Sequence, residues 1–399
     1  MNTRWLSFVL GGLAMVGPFA TDTYLPSFPS MATHYGVSAL AMQQTLSVYL
    51  FCYAFMMLFY GTLSDSFGRR PVILGALTLF GLSSLGAAWA PSFEWLLICR
   101  ALQGLSGGAG MVVGQAVVRD LLQGAHAQRM LAHIMMVFGI APAVAPVIGG
   151  YLNVHLGWQA NFIFLAAVAV VLISMTLLQL PESLKVQDRH PFEVKTLVNS
   201  YWLALRNRPY RWGVMAAGFS FSGLTLYVSS AANFVIEVLK LNETSFAWLF
   251  LPMIGGVVIG SAFSARLAHR VPTPRLVAAG LGLMLAAALT NLLYSALFVV
   301  AVPWAVMPIF VLTFGMAVAL PGLSMLTQGL MPRHRGLAAS LQNFFQMLIF
   351  GTMSGCVAPA VCGQPLALAA VVLAGVLLAI VCSWRFQQLL RQTVRDGHD

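Results

Sequence analysis

The sequence predicts an all-α membrane protein of twelve transmembrane helices, arranged as two six-helix pseudo-symmetric bundles with both termini in the cytoplasm. Of its 399 residues, 59% are hydrophobic and only 8% are charged, whereas soluble chains carry about 25% charged residues. Twelve apolar runs reach about 20 residues, the length that crosses a bilayer as a helix. Lys and Arg lie almost entirely in alternate connections between these runs, as the positive-inside rule requires of cytoplasmic loops.

The first half contains six of the apolar runs, and polar or helix-breaking residues separate them. Thr21 and Asp22 interrupt the first run, the loop Gly61–Pro71 follows the second, and Pro91–Glu94 divides the third from the fourth. Spans 1 to 6 are predicted at Trp5–Ala20, Met42–Tyr60, Val72–Ala90, Trp95–Val118, Met130–Leu152 and Asn161–Leu180.

A long polar segment near the middle of the chain separates the two halves. It predicts an N-terminal bundle at 1–181, a cytoplasmic linker at 182–209 and a C-terminal bundle at 210–399. Apolar and aromatic residues within Phe192–Leu205 predict an amphipathic helix that lies on the membrane surface. A central loop between two six-span halves is the layout of transporters built from parallel repeats. Spans 7 to 12 are predicted at Trp212–Val235, Phe246–Ala268, Leu276–Tyr294, Val299–Leu320, Gly336–Ala358 and Leu366–Trp384.

The positions of the basic residues predict the orientation. With both termini in the cytoplasm, 19 of the 21 Lys and Arg residues fall in cytoplasmic segments. Lys240 falls in an outer loop, and Arg100 falls inside span 4. This asymmetry would be lost if a span had been missed, so it supports the count of twelve.

Asp22 and Arg100 are the two charged residues predicted to lie inside the bilayer. At 1.5 Å per residue, Asp22 lies about 27 Å along span 1, and Arg100 lies about 9 Å below the outer surface. A charge there costs about 2.5–3.5 kcal/mol, so we expect the two groups to approach one another or to share a water-filled cavity. Proton coupling is the functional interpretation, in which Asp22 exchanges the proton and Arg100 tunes it. The alternative is a structural ion pair that fixes spans 1 and 4.

The loop between spans 2 and 3 carries a specific motif, G-x-L-x-D-x-x-G-R-R. Its residues are Gly61, Asp65, Gly68, Arg69 and Arg70. The motif resembles the signature loop of the major facilitator superfamily, and it implies a latch that holds one access state. We expect Asp65 to cap a helix N-terminus and Arg69 to pair with Asp120. The alternative is an ordinary basic turn.

Two further segments resemble motifs of drug–proton antiporters. Leu97–Gly104 is similar to their span 4 motif, in which Arg100 would be the functional arginine. Gly139–Gly150 is similar to their span 5 antiporter motif, although Ala145 stands where that motif usually has glycine. Proline would kink the span, and glycine would let a neighbouring helix approach closely. The alternative is a kinked helix that only packs against its neighbours and has no role in the direction of transport. The motif residues are Gly139, Pro142, Pro146, Gly149 and Gly150.

Three stretches narrow the resemblance further, namely Asp22–Pro26, Gln44–Leu50 and Gly157–Phe162. Together they resemble the bicyclomycin and chloramphenicol resistance branch (Bcr/CflA) of the superfamily. The second half matches only in layout, since its loop Gly260–Arg270 lacks an Asp at the position that corresponds to Asp65. The resemblance implies a proton-coupled multidrug exporter of the bacterial inner membrane, with a small-molecule substrate, protons and the lipid bilayer as partners. We expect a monomer with no cofactor, no metal and no nucleic acid.

Polar and aromatic residues within the spans are candidates for substrate contact. Each is alternatively a partner in a helix–helix hydrogen bond, which contributes about 0.6 kcal/mol. The candidates are Tyr24, Tyr49, Gln115, Tyr227, Asn233, Gln342, Asn343 and Gln346.

Missing motifs weigh against other classes of protein. The sequence has no G-x-x-x-x-G-K-[ST] motif, so direct drive by ATP is not expected. It also lacks the pair of acid and base residues, or the set of metal-binding residues, that an intramembrane enzyme would need. A channel and a transporter of a nucleoside, sugar or amino acid remain as alternatives. The cysteines are interpreted as small apolar residues, although Cys356 and Cys362 could pair on the outer face.

Overall fold

The computed structural model describes residues 3–122, 124–189, 191–242, 245–267, 270–331, 335–361 and 363–395. Within those residues every regular element is helical, which confirms the predicted all-α class, while the orientation of the termini stays a prediction. Eleven of the described helices are long and apolar enough to cross a membrane. The number is twelve if the bent pair Arg208–Ser229 and Ala231–Val238 forms one span.

Contacts between residues divide the chain into two units. One comprises residues 1–192 with 242–247, and the other comprises residues 193–241 with 248–399. The division at 192/193 lies within the predicted linker at 182–209, so part of that linker belongs to each unit.

Nine helices form the first unit, counted over its described residues. Ser38 caps α3 by accepting a hydrogen bond from the Ala41 amide at 3.2 Å, and Ser92 caps α6 in the same way from Trp95 at 3.3 Å. Gly36 ends α2 at φ 63°, a left-handed conformation that favours glycine. The helices are α1 Thr3–Asp22, α2 Phe28–Tyr35, α3 Ala39–Met57, α4 Tyr60–Phe67, α5 Arg69–Ala88, α6 Phe93–Gly107, α7 Ala109–Leu121, α8 Gly124–Leu156 and α9 Gln159–Gln179.

The second unit begins with the helix expected from the linker. Asn207 separates this helix from the next one. It caps the start of the next helix, because its Oδ1 accepts a hydrogen bond from the Tyr210 amide at 3.0 Å. Span 7 bends by 53° at Ser230 and continues through a π-helical turn at Phe234–Val238. The helices are α10 Val194–Arg206, α11 Arg208–Ser229, α12 Ala231–Asn233, α13 Ala247–Leu267, α14 Thr273–Leu297, α15 Met307–Gly329, α16 Arg335–Thr352, α17 Ala358–Val361 and α18 Pro365–Arg395.

Predicted boundaries are wrong in span 10 and in the loop between spans 2 and 3. Span 10 was predicted at Val299–Leu320, but α15 covers Met307–Gly329. Pro303 has no amide hydrogen to donate within the preceding apolar run, and a proline in the first turn favours the observed start, where Pro308 lies. The loop predicted at Gly61–Pro71 is mostly helical, because only Gly68 separates α4 from α5. Cys356 is exposed, and the alternative that it pairs with Cys362 lies outside the described residues.

Candidate functional site

Asp22 is the last residue of α1 and lies in the interior of the first unit. It is 3% exposed, and its Oδ1 has no hydrogen-bond partner among the described residues. The helix ends directly after it, where the hydroxyl of Thr23 donates to the carbonyl of Phe19 at 2.6 Å. An ionised carboxylate with an unpaired, buried oxygen is costly. The position therefore suits a carboxyl group that takes up and releases a proton.

Arg100 is fully buried on α6, and its guanidinium lies between two aromatic rings. Its Cζ is 4.3 Å from the ring centroid of Tyr24 and 4.4 Å from that of Tyr49. Its Nε donates to the carbonyl of Thr45 at 3.3 Å, and Nη1 donates to Oε1 of Gln103 at 2.7 Å. Desolvated cation–π contacts contribute about 2 kcal/mol. Ring faces and neutral dipoles therefore stabilise the positive charge.

Asp22 and Arg100 belong to one buried region but do not form a direct ion pair. Tyr24, two residues after Asp22, lies against the guanidinium. The structural ion pair considered from the sequence is therefore not formed, and neither charge is neutralised by contact with the other. The three ion pairs found among the described residues are Asp65–Arg69, Arg69–Asp120 and Glu182–Arg189.

Gln103 is a site residue to which the sequence alone assigned no role. Besides accepting from Arg100, it donates from Nε2 to Oγ of Ser84 at 2.7 Å. Ser84 in turn donates to the carbonyl of Phe80 at 2.7 Å. This chain of hydrogen bonds anchors the guanidinium to the backbone of α5. A signal was present, since Gln103 follows Arg100 by three residues and so lies on the same helix face.

The span 5 motif brings α8 against the residue that follows Asp22. A Cβ atom on Gly149 would overlap the carbonyl group of Thr23, so only glycine permits this approach. Gly150 is also buried, whereas a Cβ on Gly139 would meet no atom within 4 Å. The helix is continuous through Pro142 and Pro146.

The predicted latch residues meet around Arg69. Its Nη1 lies 2.5 Å from Asp65 Oδ1, and its Nε donates to Asp120 Oδ2 at 3.0 Å. Nη1 also donates to the hydroxyl of Ser64 at 2.6 Å. Arg69 is buried, so this network ties α4 and α7 to the start of α5. Arg70 points elsewhere and donates to the carbonyl of Leu177 at 2.6 Å.

The helix cap predicted at Asp65 is supplied by Glu182 instead. Asp65 lies in α4 and pairs with Arg69, whereas Glu182 accepts from the amides of Arg69 at 2.9 Å and Arg70 at 3.2 Å. Gly68, at φ 98°, brings these amides together. Its missing side chain leaves room, because a Cβ there would lie 2.5 Å from Oε2 of Glu182. Gly61 lies in α4 with nothing near its Cβ position.

Comparison with known proteins identifies the family of this chain. The family model described as Major Facilitator Superfamily matches residues 10–355. The chain belongs to the Major Facilitator Superfamily. It is therefore a member of a transporter family, and the resemblance seen in the loop between spans 2 and 3 is confirmed.

Relatives of this superfamily member carry names that refer to drug resistance. A bicyclomycin resistance protein homolog of Haemophilus influenzae is 30% identical over 275 residues, 68% of this chain and 69% of that protein. Multidrug resistance protein D of Escherichia coli is 28% identical over 261 residues, 65% of each chain. Multidrug transporter MdfA of Shigella boydii is 26% identical over 334 residues, 82% of this chain and 80% of that protein. The aligned regions leave part of each of these three relatives unmatched.

A solved structure supports the fold of this superfamily member. The crystal structure of a D-xylose–proton symporter superposes with a TM-score of 0.74 and covers 95% of this chain and 97% of that chain. The sequence identity is 15%, so this likeness concerns the fold alone. Together with the apolar helices, the comparisons place the chain among multi-pass proteins of the bacterial inner membrane.

In the first unit of this superfamily member, two of the substrate candidates belong to the Arg100 site. The hydroxyls of Tyr24 and Thr45 are 3.1 Å apart, and the Tyr49 hydroxyl donates to the carbonyl of Gly17 at 3.4 Å. Both rings are already in contact with the guanidinium. Gln115 is half-buried on α7, and it is not part of the ring contacts that Arg100 makes.

In the second unit, the candidates lie on α11, α12 and α16. The Tyr227 hydroxyl accepts from Nδ2 of Asn291 at 2.6 Å, which is the helix–helix hydrogen bond considered as the alternative from the sequence. Asn233 follows the bend in span 7, and its Oδ1 is buried without a partner among the described residues. The candidates on α16 are the buried Gln342 and Gln346 and the half-buried Asn343.

Proposed function

We propose that this chain exports small amphipathic compounds, including antibiotics, across the bacterial inner membrane in exchange for protons. Its membership of the superfamily and the names of its relatives support drug efflux. In the proposal the chain works as a monomer by alternating access, is not an enzyme, and has no bound cofactor. The latch of Asp65, Arg69 and Asp120 biases the access state, and the proton gradient supplies the energy.

The buried carboxyl group of Asp22 is the observation that carries the proposal. It has an unpaired oxygen, and the nearby Arg100 is stabilised by other groups. Because no direct contact with Arg100 locks the carboxylate in its charged form, Asp22 is available for proton exchange. Each proton that enters releases about 2.3 kcal/mol per 100 mV of membrane potential. Cargo and proton then alternate at one site.

The test compares Asp22→Asn with Asp22→Glu in inverted membrane vesicles. We expect Asp22→Asn to abolish accumulation of a substrate dye driven by a pH gradient, because the amide cannot carry the proton. Asp22→Glu, which keeps a carboxyl group, should retain part of the activity. Gradient-driven uptake by Asp22→Asn with unchanged pH dependence would contradict the proposal.

The substrate class is tested separately by growth inhibition. A host that lacks its own pumps and expresses the wild-type chain should tolerate higher concentrations of several chemically unrelated antibiotics, and Asp22→Asn should remove this protection. Protection limited to one nucleoside, sugar or amino-acid analogue would instead favour a metabolite transporter on the same fold.

A further inference from the structure

The helix α10, which precedes the first span of the second unit, packs through only one of its faces. Leu197 and Ala204 are buried at 8% and 1% exposure, and the side chain of Tyr201 hydrogen-bonds that of Ser340 on α16. These positions fix α10 against α11 and α16. The remaining faces of the helix point away from the unit.

An apolar stripe runs along the exposed part of α10. Val194, Val198 and Trp202 recur every four residues, so they lie on one side of the helix. Their exposed fractions are 46%, 53% and 63%. A contiguous row of large apolar side chains at the surface marks a contact with a protein or a membrane.

A row of polar and basic side chains borders this stripe. Lys195, Asn199 and Arg206 follow one another at helical spacing and are exposed, and the two cations are about 16 Å apart along the axis. Arg208 and Arg211 add two exposed cations at the start of α11. None of the ion pairs found among the described residues involves these four cations.

The contacts of α10 place it at one end of the helices of its unit. Ser340, its partner on α16, is five residues after the start of that helix. The Tyr210 hydroxyl, in the first turn of α11, donates to the carbonyl of Ala338 at 2.7 Å. The helix therefore lies where α11 and α16 begin, which is the level at which spanning helices meet the headgroups.

We propose that α10 is an interfacial helix that binds anionic phospholipids of the same membrane. Val194, Val198 and Trp202 enter the boundary of the acyl chains, while Lys195 and Arg206 contact the phosphate groups. Unpaired cations beside an apolar stripe suit an anionic headgroup with its acyl chains, whereas a soluble acidic partner would leave the stripe unexplained. Each cation near an anionic surface is worth about fivefold in affinity, so the pair should contribute roughly 25-fold.

The experiment measures contact between Trp202 and brominated lipids in proteoliposomes that contain the full chain. The emission of Trp202 is obtained as the difference between wild type and Trp202→Phe. We expect brominated phosphatidylglycerol to quench this emission at a lower lipid fraction than brominated phosphatidylcholine. The double variant K195Q/R206Q should lose this preference by more than tenfold, whereas the matched control R270Q/R275Q, which removes two cations elsewhere, should keep it.

Two results would overturn the inference. Equal quenching by both lipids would show that α10 does not select anionic headgroups. Absence of quenching by either lipid would show that the stripe does not meet the membrane. Thermal unfolding of each variant in the same liposomes checks that a lost preference reflects lost cations and not a lost fold. Because none of these residues belongs to the Asp22 site, the result is independent of the proposed transport function.

Discussion

The guanidinium of Arg100 is fully buried, and several neutral groups provide the stabilisation that an acid would otherwise provide. Two tyrosine faces lie against the guanidinium, a backbone carbonyl and Gln103 accept two of its hydrogen bonds, and Nη2 has no partner among the described residues. This arrangement leaves Asp22 free of a permanent counter-ion. Gln103 is therefore a positioning residue for the proposed proton exchange.

Replacing Gln103 with leucine should destabilise the protein, since Arg100 Nη1 would lose its acceptor in the interior. A buried donor without a partner costs about 1–3 kcal/mol, and we expect a loss of that size in the free energy of unfolding, measured by thermal unfolding in detergent. Gln115→Leu is the control, because Gln115 is only half-buried; such a change should stay within about 0.5 kcal/mol. Equal losses in both variants would show that the hydrogen bond to Arg100 has no special weight.

The charged residues of the site could be predicted from the sequence, but the groups that contact them could not. Asp22 and Arg100 were predicted because charge inside a bilayer is costly wherever it occurs. The partners depend on tertiary packing, which no local pattern records. Thr45 is 55 positions from Arg100, and Tyr24 and Tyr49, predicted as substrate contacts, contact the guanidinium.

Glu182 illustrates the same limit for a whole helix. The sequence suggested Asp65 as the cap of a helix N-terminus, where a negative charge is favourable. Asp65 instead lies within α4 and pairs with Arg69. The cap comes from Glu182, 113 residues away from Arg69, after the end of α9. An anion at a helix N-terminus is stabilised by the amides and by the helix dipole.

Glu182→Ala should therefore weaken the start of α5. Loss of a cap costs about 0.5–2 kcal/mol, and we expect the free energy of unfolding to fall by this amount. Glu182→Gln keeps an acceptor oxygen and should lose less. Glu193→Ala serves as the control, because Glu193 accepts from the hydroxyl of Thr196 at an exposed position. A loss in the control as large as that in Glu182→Ala would refute the capping role.

Gly149 allows a comparison of two glycines on the same helix. Gly149→Ala places a Cβ on the backbone of Thr23, and overpacking of this kind costs about 1–3 kcal/mol. We expect a lower unfolding temperature and weaker transport driven by a pH gradient, because the displaced segment adjoins Asp22. Gly139→Ala meets open space and should be neutral or stabilising, since alanine favours a helix over glycine by about 1 kcal/mol. Similar behaviour of both variants would remove the argument for close packing at Gly149.

At the scale of the whole molecule, hydropathy and the repeat of six spans were sufficient for the fold class. They were not sufficient for every boundary, because hydropathy records composition and not backbone hydrogen bonds. The apolar run before Met307 counted as part of span 10 although it is not helical, and Pro321, next to the predicted end, lies inside α15. Span 7 shows the same difficulty, since an apolar segment can bend without a change in its composition.

The bend at Ser230 makes the orientation of the termini a test of the whole topology. If Arg208–Ser229 and Ala231–Val238 cross the membrane once, the chain has twelve spans and both termini face the same side. If the pair instead turns back and leaves the membrane on the side where it entered, the chain has eleven spans and the termini face opposite sides. The helix α11 alone, at about 33 Å, is long enough to cross a hydrocarbon core of about 30 Å, so we expect twelve spans with both termini in the cytoplasm.

Reporter fusions in a bacterial host can distinguish the two topologies. Alkaline phosphatase is active only outside the cytoplasm. Green fluorescent protein fluoresces only inside the cytoplasm, because it does not become fluorescent when it is exported in unfolded form. We expect fusions after the last residue to fluoresce without phosphatase activity, and fusions at Lys240 to show the reverse, because Lys240 follows the bent pair in a predicted outer loop. A fusion after Leu184, in the linker, serves as a cytoplasmic control. Phosphatase activity at the C-terminus together with fluorescence at Lys240 would show that span 7 turns back, and it would reverse the assignment of every later loop.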